Sequence, residues 1–345
     1  MKEKLVNAAL IIVTIVLSLL ALEGSLRVYH GEWEYTNFRF PQGALFANAT
    51  SFDDELGWVP EQGVHRPWGT TVTVLKDGIR SNGRGEVWDG SDHSVLAVGD
   101  SFTFGNQISD WETWPAQLEK LSGRRVINAG VFGYGLDQAF LRTRRLLSRY
   151  RFSTVIFSFI PDDIRRCQML GIFNTVKPYF DFKDGRLTLE NVPVPPTFLP
   201  EQESELLIAL EHSRLVHAVM KRSFPEWWLS APFEKQVQDR EEGIKVACGV
   251  LHELEGLTKL RDSELIVLVQ RTEVESASEA TATKSVLRCV TDPATRVLDL
   301  QPALSELKAV DPSRYHQLYV PNGGHMTAEG NQFVAREILP ILMRR

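Results

Sequence analysis

From residue 94 onward, short apolar runs alternate with segments of helical spacing, and this rhythm constrains the fold more than any other feature of the sequence. The runs are SVLAVGD (94–100), RRVINAG (124–130), STVIFSFI (153–160), ELIVLVQ (264–270) and RVLDL (296–300). Between and after them lie WPAQLEKL, LDQAFLRTRRLLSRY and MTAEGNQFVAREILPILM, whose apolar residues recur at helical intervals. Strands that are apolar throughout are buried on both faces, and helices between successive strands supply the cover. The pattern predicts a three-layer α/β/α sandwich around a central, mainly parallel five-stranded sheet.

Three stretches depart from that rhythm. Residues 5–22, LVNAALIIVTIVLSLLAL, carry no charge and follow Lys2 and Lys4. A run of about 20 apolar residues spans a bilayer as a helix, and lysines on one flank hold that flank in the cytoplasm. The sequence therefore predicts a cytoplasmic tail (1–4), an uncleaved transmembrane helix (5–22) and an exported remainder, periplasmic or extracellular. The following LALEGSLRVYH makes a poor signal-peptidase site, and no cysteine follows for lipid attachment. Residues 23–93 read as an extension packing on the main domain (94–345), with one alternating run, Thr70 to Leu75, as a strand. The stretch DGIRSNGRGE closing that extension reads as turns. Residues 165–260, with LENVPVPPTFLP and PEWWLSAPF, read as an insertion or lid ending in a helix that returns to the sheet.

A formal net charge of −6 and a pI near 5.8 argue against a nucleic-acid partner, which usually demands a basic face. The three cysteines, Cys167, Cys248 and Cys289, have neither CxxC nor metal-ligand spacing; the count is compatible with one optional bridge.

Ligands of such sheets sit at the carboxyl ends of the strands, and four of those ends carry chemistry-bearing residues. Gly99-Asp100-Ser101 places a serine at a strand-to-helix turn, its N–H at a helix start where negative charge is favoured. The glycines of VINAGVFGYG allow close backbone approach but do not keep the GxGxxG spacing of a dinucleotide site. FSFIPDDI places Asp162 and Asp163 at the third strand's end, and PNGGHMTAEGN places His325 just before the last helix.

Taken together and in this order, the four blocks resemble the SGNH (GDSL-type) hydrolase family over residues 94–345. The GDS block matches Gly99-Asp100-Ser101, with Phe102 for the family leucine. Gly133 matches the second-block glycine, IPDDI the third block and NGGH the last. The lead-in DDELGW…DGIRSNG further resembles single-span SGNH proteins of bacterial envelope-polysaccharide systems. The resemblance implies Ser101 as nucleophile, His325 as base, and an oxyanion hole from the Ser101 and Gly133 N–H groups with a side chain at position 162; Asp100 and Asp163 are secondary members. No metal or cofactor is implied.

Two positions depart from the family. Asp162 stands where an asparagine donates to the oxyanion. Ionised, it opposes that charge; protonated, it could donate; bound to Arg165 or Arg166, it leaves two backbone donors. Asn322 stands where an aspartate orients the histidine, and its carbonyl could still accept from the imidazole; Asp299 or Asp311 has no supporting spacing as a substitute. The expected function is that of a serine esterase or O-acyltransferase working through an acyl-serine on an acylated envelope glycan or a small ester, with a polysaccharide complex as a possible partner. The alternative is a catalytically weakened SGNH-fold protein that binds polysaccharide or scaffolds an export complex.

Overall fold

The computed structural model of the 345-residue chain describes residues 2–30, 50–83, 94–172, 175–195, 210–224, 228, 240–321 and 324–344. After helix α1 (Lys2–His30) come two antiparallel pairs, β1 (Thr50–Asp53) with β2 (Gly57–Pro60) and β3 (Gly63–His65) with β4 (Val72–Val74). The sheet domain runs β5 (Val95–Val98), α2 (Ser101–Phe104), α3 (Trp114–Ser122), β6 (Val126–Asn128), α4 (Leu136–Arg149), β7 (Thr154–Phe159) and α5 (Pro161–Arg166). Next come short strands β8 (Gly171–Ile172) and β9 (Thr175–Val176), a hairpin β10 (Tyr179–Lys183) and β11 (Arg186–Glu190), and helices α6 (Arg214–Ser223) and α7 (Arg240–Leu260). The chain closes with β12 (Glu264–Val269), α8 (Ala277–Leu287), β13 (Arg296–Asp299), α9 (Gln301–Val310), α10 (Pro312–Gln317) and α11 (Ala328–Met343).

All five apolar runs form strands of one sheet in the order β13-β12-β7-β5-β6, every neighbouring pair parallel. Two apolar cores flank it. One packs Leu146, Leu147, Val246, Leu254 and Val286 from α4, α7 and α8; the other packs Trp114, Leu118, Leu304, Val334 and Ile338 from α3, α9 and α11. That is the three-layer architecture expected. Strand order reverses at β5, which lies between β6 and β7, so the switch point where such sheets bind ligands falls directly above Ser101.

The strand expected across Thr70 to Leu75 shortens to β4. Isolated bridges from Val74 to Arg80 and from Arg80 to Asn128 tie it to the end of β6. Of the stretch at 165–260, the hairpin β10–β11 lies against the α4 and α7 flank, with Phe180 facing Phe140 at 5.9 Å between ring centroids. Where this stretch meets α4, Lys177 and Asp137 form an ion pair with both side chains fully buried.

In α1, Leu10, Ile11, Leu17 and Leu20 are each between 59% and 62% exposed. Among the described residues no helix is long and apolar enough to cross a membrane. The side chains at 5, 8, 9 and 12 lie outside that set. Beyond residue 22, the carboxyl end of α1 meets α6. Glu23 accepts hydrogen bonds from Ser213 Oγ (3.0 Å) and from the N–H groups of Arg214 (2.9 Å) and Leu215 (2.8 Å), capping α6. Burial would raise the Glu23 pKa, but those donors and Arg27 bring it down to about 2.

Candidate active site

The strand β5 delivers Gly99-Asp100-Ser101 into the first turn of α2. A Cβ at Gly99 would lie 2.5 Å from both the Ser158 carbonyl oxygen and Thr103 Oγ1, so only glycine lets the turn pass this close to β7. Asp100 is the N-cap, its Oδ1 accepting from the Phe102 N–H at 2.9 Å. Ser101 is therefore the first helical residue, with its side chain at the switch point and only 6% of its surface exposed.

His325 arrives from the other end of the sheet domain. Its loop is pinned by the Val320 N–H donating to the His325 carbonyl at 2.8 Å, by a bridge between Tyr319 and Met326, and by Phe102, whose ring lies 5.2 Å from the imidazole centroid. Ser101 Oγ then lies 2.9 Å from His325 Nε2, and His325 Nδ1 lies 3.0 Å from Gln107 Oε1. The amide oxygen can only accept, which puts the ring proton on Nδ1 and leaves Nε2 free to accept from the serine hydroxyl. This is the tautomer a general base needs. Asp100 Oδ2 also lies near the hydroxyl, at 3.4 Å, but the single hydroxyl proton goes to the shorter contact.

Gln107 carried no signal in the sequence: it is one amide in a loop, and its backbone adopts φ +69, a region few non-glycine residues occupy. Asn322, the residue expected behind the histidine, lies outside the described residues.

Gly133 sits in the turn after β6 with φ +76. Both its neighbours are held by Trp58 of the DDELGW segment: Trp58 Nε1 donates to the Phe132 carbonyl at 3.0 Å, and the Tyr134 hydroxyl donates to the Trp58 carbonyl. The Trp58 and Tyr134 rings pack edge to face at 5.4 Å.

Asp162 differs from the protonated donor weighed above. Arg165 Nε lies 2.6 Å from one of its oxygens and Arg166 Nη2 lies 2.9 Å from the other. Burial pushes its pKa up, yet the Arg166 and Arg165 charges hold it at about 2, so near neutral pH it is an ionised acceptor. An oxyanion held here would have backbone donors and no amide from position 162.

Arg166 also reaches Asp163 (2.6 Å), Asp100 (3.7 Å) and the Tyr134 carbonyl (3.0 Å). Asp163 additionally accepts from the Ile160 N–H at 2.9 Å. Asp100 and Asp163 share the one Arg166 guanidinium, which Asp162 also engages beside Arg165, so negative charge is in surplus around the two buried carboxyls. Burial, only partly offset by Arg166, lifts Asp100 to about 6, and burial together with Asp100 lifts Asp163 well above the usual carboxylate range. Among the described residues no cluster of histidine, cysteine, aspartate or glutamate could hold a metal ion.

No protein-family model and no curated protein sequence matches this chain. Among solved structures, it is similar to TesA at 14% identity and a TM-score of 0.42, over 73% of this chain and 98% of that one. A member of the lipolytic protein G-D-S-L family from Veillonella parvula is similar at 11% identity and a TM-score of 0.42, over 73% and 100%. The esterase EstA from a Pseudoalteromonas species is similar at 10% identity and a TM-score of 0.39, over 73% and 97%. At such identities and scores, the functional reading rests on the geometry of this site.

Proposed function

We propose that this chain is an SGNH-type serine ester hydrolase or O-acyltransferase, with Ser101 as nucleophile and His325 as general base. The observation that carries the reading is the 2.9 Å contact between Ser101 Oγ and His325 Nε2, in an imidazole whose Nδ1 lies 3.0 Å from Gln107 Oε1. In the proposed cycle Ser101 Oγ attacks an ester carbonyl while its proton passes to His325 Nε2. The N–H groups of Ser101 and Gly133 hold the oxyanion, and the protonated imidazole returns the proton to the departing alkoxide. Water or a sugar hydroxyl, deprotonated by the same imidazole, then releases the acyl group.

The substrate class we propose is an acylated glycan of the cell envelope, met on the outer side of a membrane to which residues 5–22 anchor the protein. Two observations support that placement. The described apolar side chains of α1 between residues 6 and 22 are exposed. Cys248 and Cys289 are bridged, with a Cα separation of 5.3 Å, and such bridges persist in oxidising compartments. The polysaccharide-binding alternative draws its support from Asp162, an ionised carboxylate close to where negative charge must develop.

The test is the full-length chain in detergent, assayed with p-nitrophenyl acetate and with an acetylated polysaccharide, beside Ser101→Ala. Turnover that the alanine variant abolishes, together with labelling of the Ser101 peptide by a fluorophosphonate, supports the reading. Absence of both turnover and labelling in the parent, with polysaccharide binding intact, would hand the site to the binding alternative.

A further inference from the structure

The lead-in motif DGIRSNG has no place in the chemistry above, although its arginine is among the most buried side chains of the protein, at 1% exposure. Arg80 points into the loop that follows α2. Its Nη1 donates to the Phe104 carbonyl at 2.7 Å and to the Gly105 carbonyl, its Nη2 donates to the Ile108 carbonyl at 2.6 Å, and its Nε pairs with Asp110 at 3.2 Å. The guanidinium also lies over the Phe104 ring, 4.9 Å from its centroid. These carbonyls flank residue 107 on both sides. Asn128, at the end of β6, donates to the same Phe104 carbonyl at 3.3 Å. A Cβ at Gly105, whose φ is +86, would lie 2.5 Å from Thr113 Cγ2 and 3.1 Å from Arg80 Nη1, so the clamp closes around a glycine.

One guanidinium thus fixes a short loop by its main chain, and the side chain that loop presents to the site is Gln107, in a left-handed conformation that a glutamine adopts only under constraint. We infer that Gln107, held by Arg80, is a positioning residue: its amide oxygen fixes the Nδ1-protonated tautomer and the ring orientation of His325, the work an aspartate three residues before the histidine does in the resembled family. The inference rests on the proposed role of His325 as base, and it assigns the lead-in segment a share in the active site.

Three substitutions separate positioning from mere loop structure. Gln107→Asn keeps the amide and suits a left-handed backbone, but falls one methylene short of Nδ1. Gln107→Leu keeps the bulk and loses the acceptor. Gln107→Glu keeps the reach and supplies a carboxylate. The full-length chain, labelled with ¹⁵N-histidine in detergent micelles and with His325→Gln for assignment, is followed by NMR alongside p-nitrophenyl acetate turnover.

The parent should show a His325 signal protonated at Nδ1, absent or averaged in Gln107→Asn and Gln107→Leu. Both variants should melt close to the parent and lose kcat by roughly 10–100-fold, the usual cost of removing a group behind a working histidine, with KM little changed. Gln107→Glu should keep the signal, raise the protonation midpoint of His325 by about one unit and raise kcat. A purely structural Gln107 would instead be rescued by asparagine, and that result overturns the inference. So does an unchanged His325 signal in all three variants, or loss of that signal in Asn322→Leu and not in Gln107→Leu. Absence of ester turnover and Ser101 labelling in a parent whose His325 signal still follows residue 107 would remove the proposed function and leave the positioning role standing.

Discussion

Two of the regions outside the parallel sheet, the segment 50–83 and the stretch 165–260, do different things. The segment 50–83 has only short strands and turns, yet it sends Trp58 to the carbonyl beside Gly133 and Arg80 to three carbonyls around Gln107. The described hairpin of the stretch 165–260 has longer strands and packs on the flank formed by α4 and α7. Regular secondary structure is thus a poor guide to which embellishment shapes the site. What matters is where buried donors end. Trp58 and Arg80 of the first segment end on main-chain carbonyls at the carboxyl edge of the sheet, whereas Phe180 of the hairpin ends on the surface of α4.

Arg80→Ala should give the largest effect on both stability and chemistry. It takes the guanidinium from Asp110, which keeps the Thr73 N–H, and leaves the Gly105 and Ile108 carbonyls without this donor, a loss of about 3–5 kcal/mol by the usual cost of breaking a buried pair. Ester turnover of the fraction that remains folded should fall at least about 100-fold, as positioning losses do. Retained turnover per folded molecule, measured by active-site titration after denaturant unfolding curves, would reduce the segment to a brace. Lys177→Met is the matching probe of the other region. It strands Asp137 in the core and should cost a similar ~3–5 kcal/mol, while turnover of the folded protein stays within about twofold. A collapse of kcat in this variant would erase the contrast between the regions.

Smaller changes sharpen the comparison. Trp58→Phe removes the donor to the Phe132 carbonyl and should cost about 1–2 kcal/mol, with a several-fold fall in kcat as the Gly133 turn loosens. A fall in stability with kcat untouched would confine the Trp58 role to packing. The smallest effect is one of pH. Asp163 has a folded pKa raised by burial and by Asp100, so its stabilising form is the protonated one. That contribution is full below the unfolded value of about 4 and is lost as pH rises through the folded pKa. Asp163→Asn cannot ionise, so its stability deficit against the parent should shrink between pH 4 and pH 8; a deficit that widens would mean the Arg166 pair outweighs burial.

The strands were legible because runs such as VLAV and TVIFSF are apolar on both faces, and burial on both faces leaves a central parallel strand as their place. Ser101 and His325 were legible for a related reason: strand ends and helix starts are fixed by the pattern, and polar residues there face the ligand edge. Arg80 and Gln107 were not. Each works through main-chain geometry far away in sequence, and an arginine among glycines and asparagines reads locally as a turn. The fate of Asp162 hinged on the rotamers of Arg165 and Arg166, which spacing leaves open; the structure turns both toward it.

The Arg80 clamp has a consequence for how such chains can vary over evolutionary time. A guanidinium that grips the Ile108 carbonyl oxygen is blind to the side chain there, so position 108 can drift among residues of similar size, while the Phe104 ring under the guanidinium and the close approach at Gly105 hold those two positions. It is sensitive to spacing instead. One residue inserted or deleted between Ser101 and Asp110 would move the gripped oxygens out of step with the fork. Relatives of this chain should therefore be recognisable less by what they spell across that loop than by its unchanging length, paired with an arginine upstream.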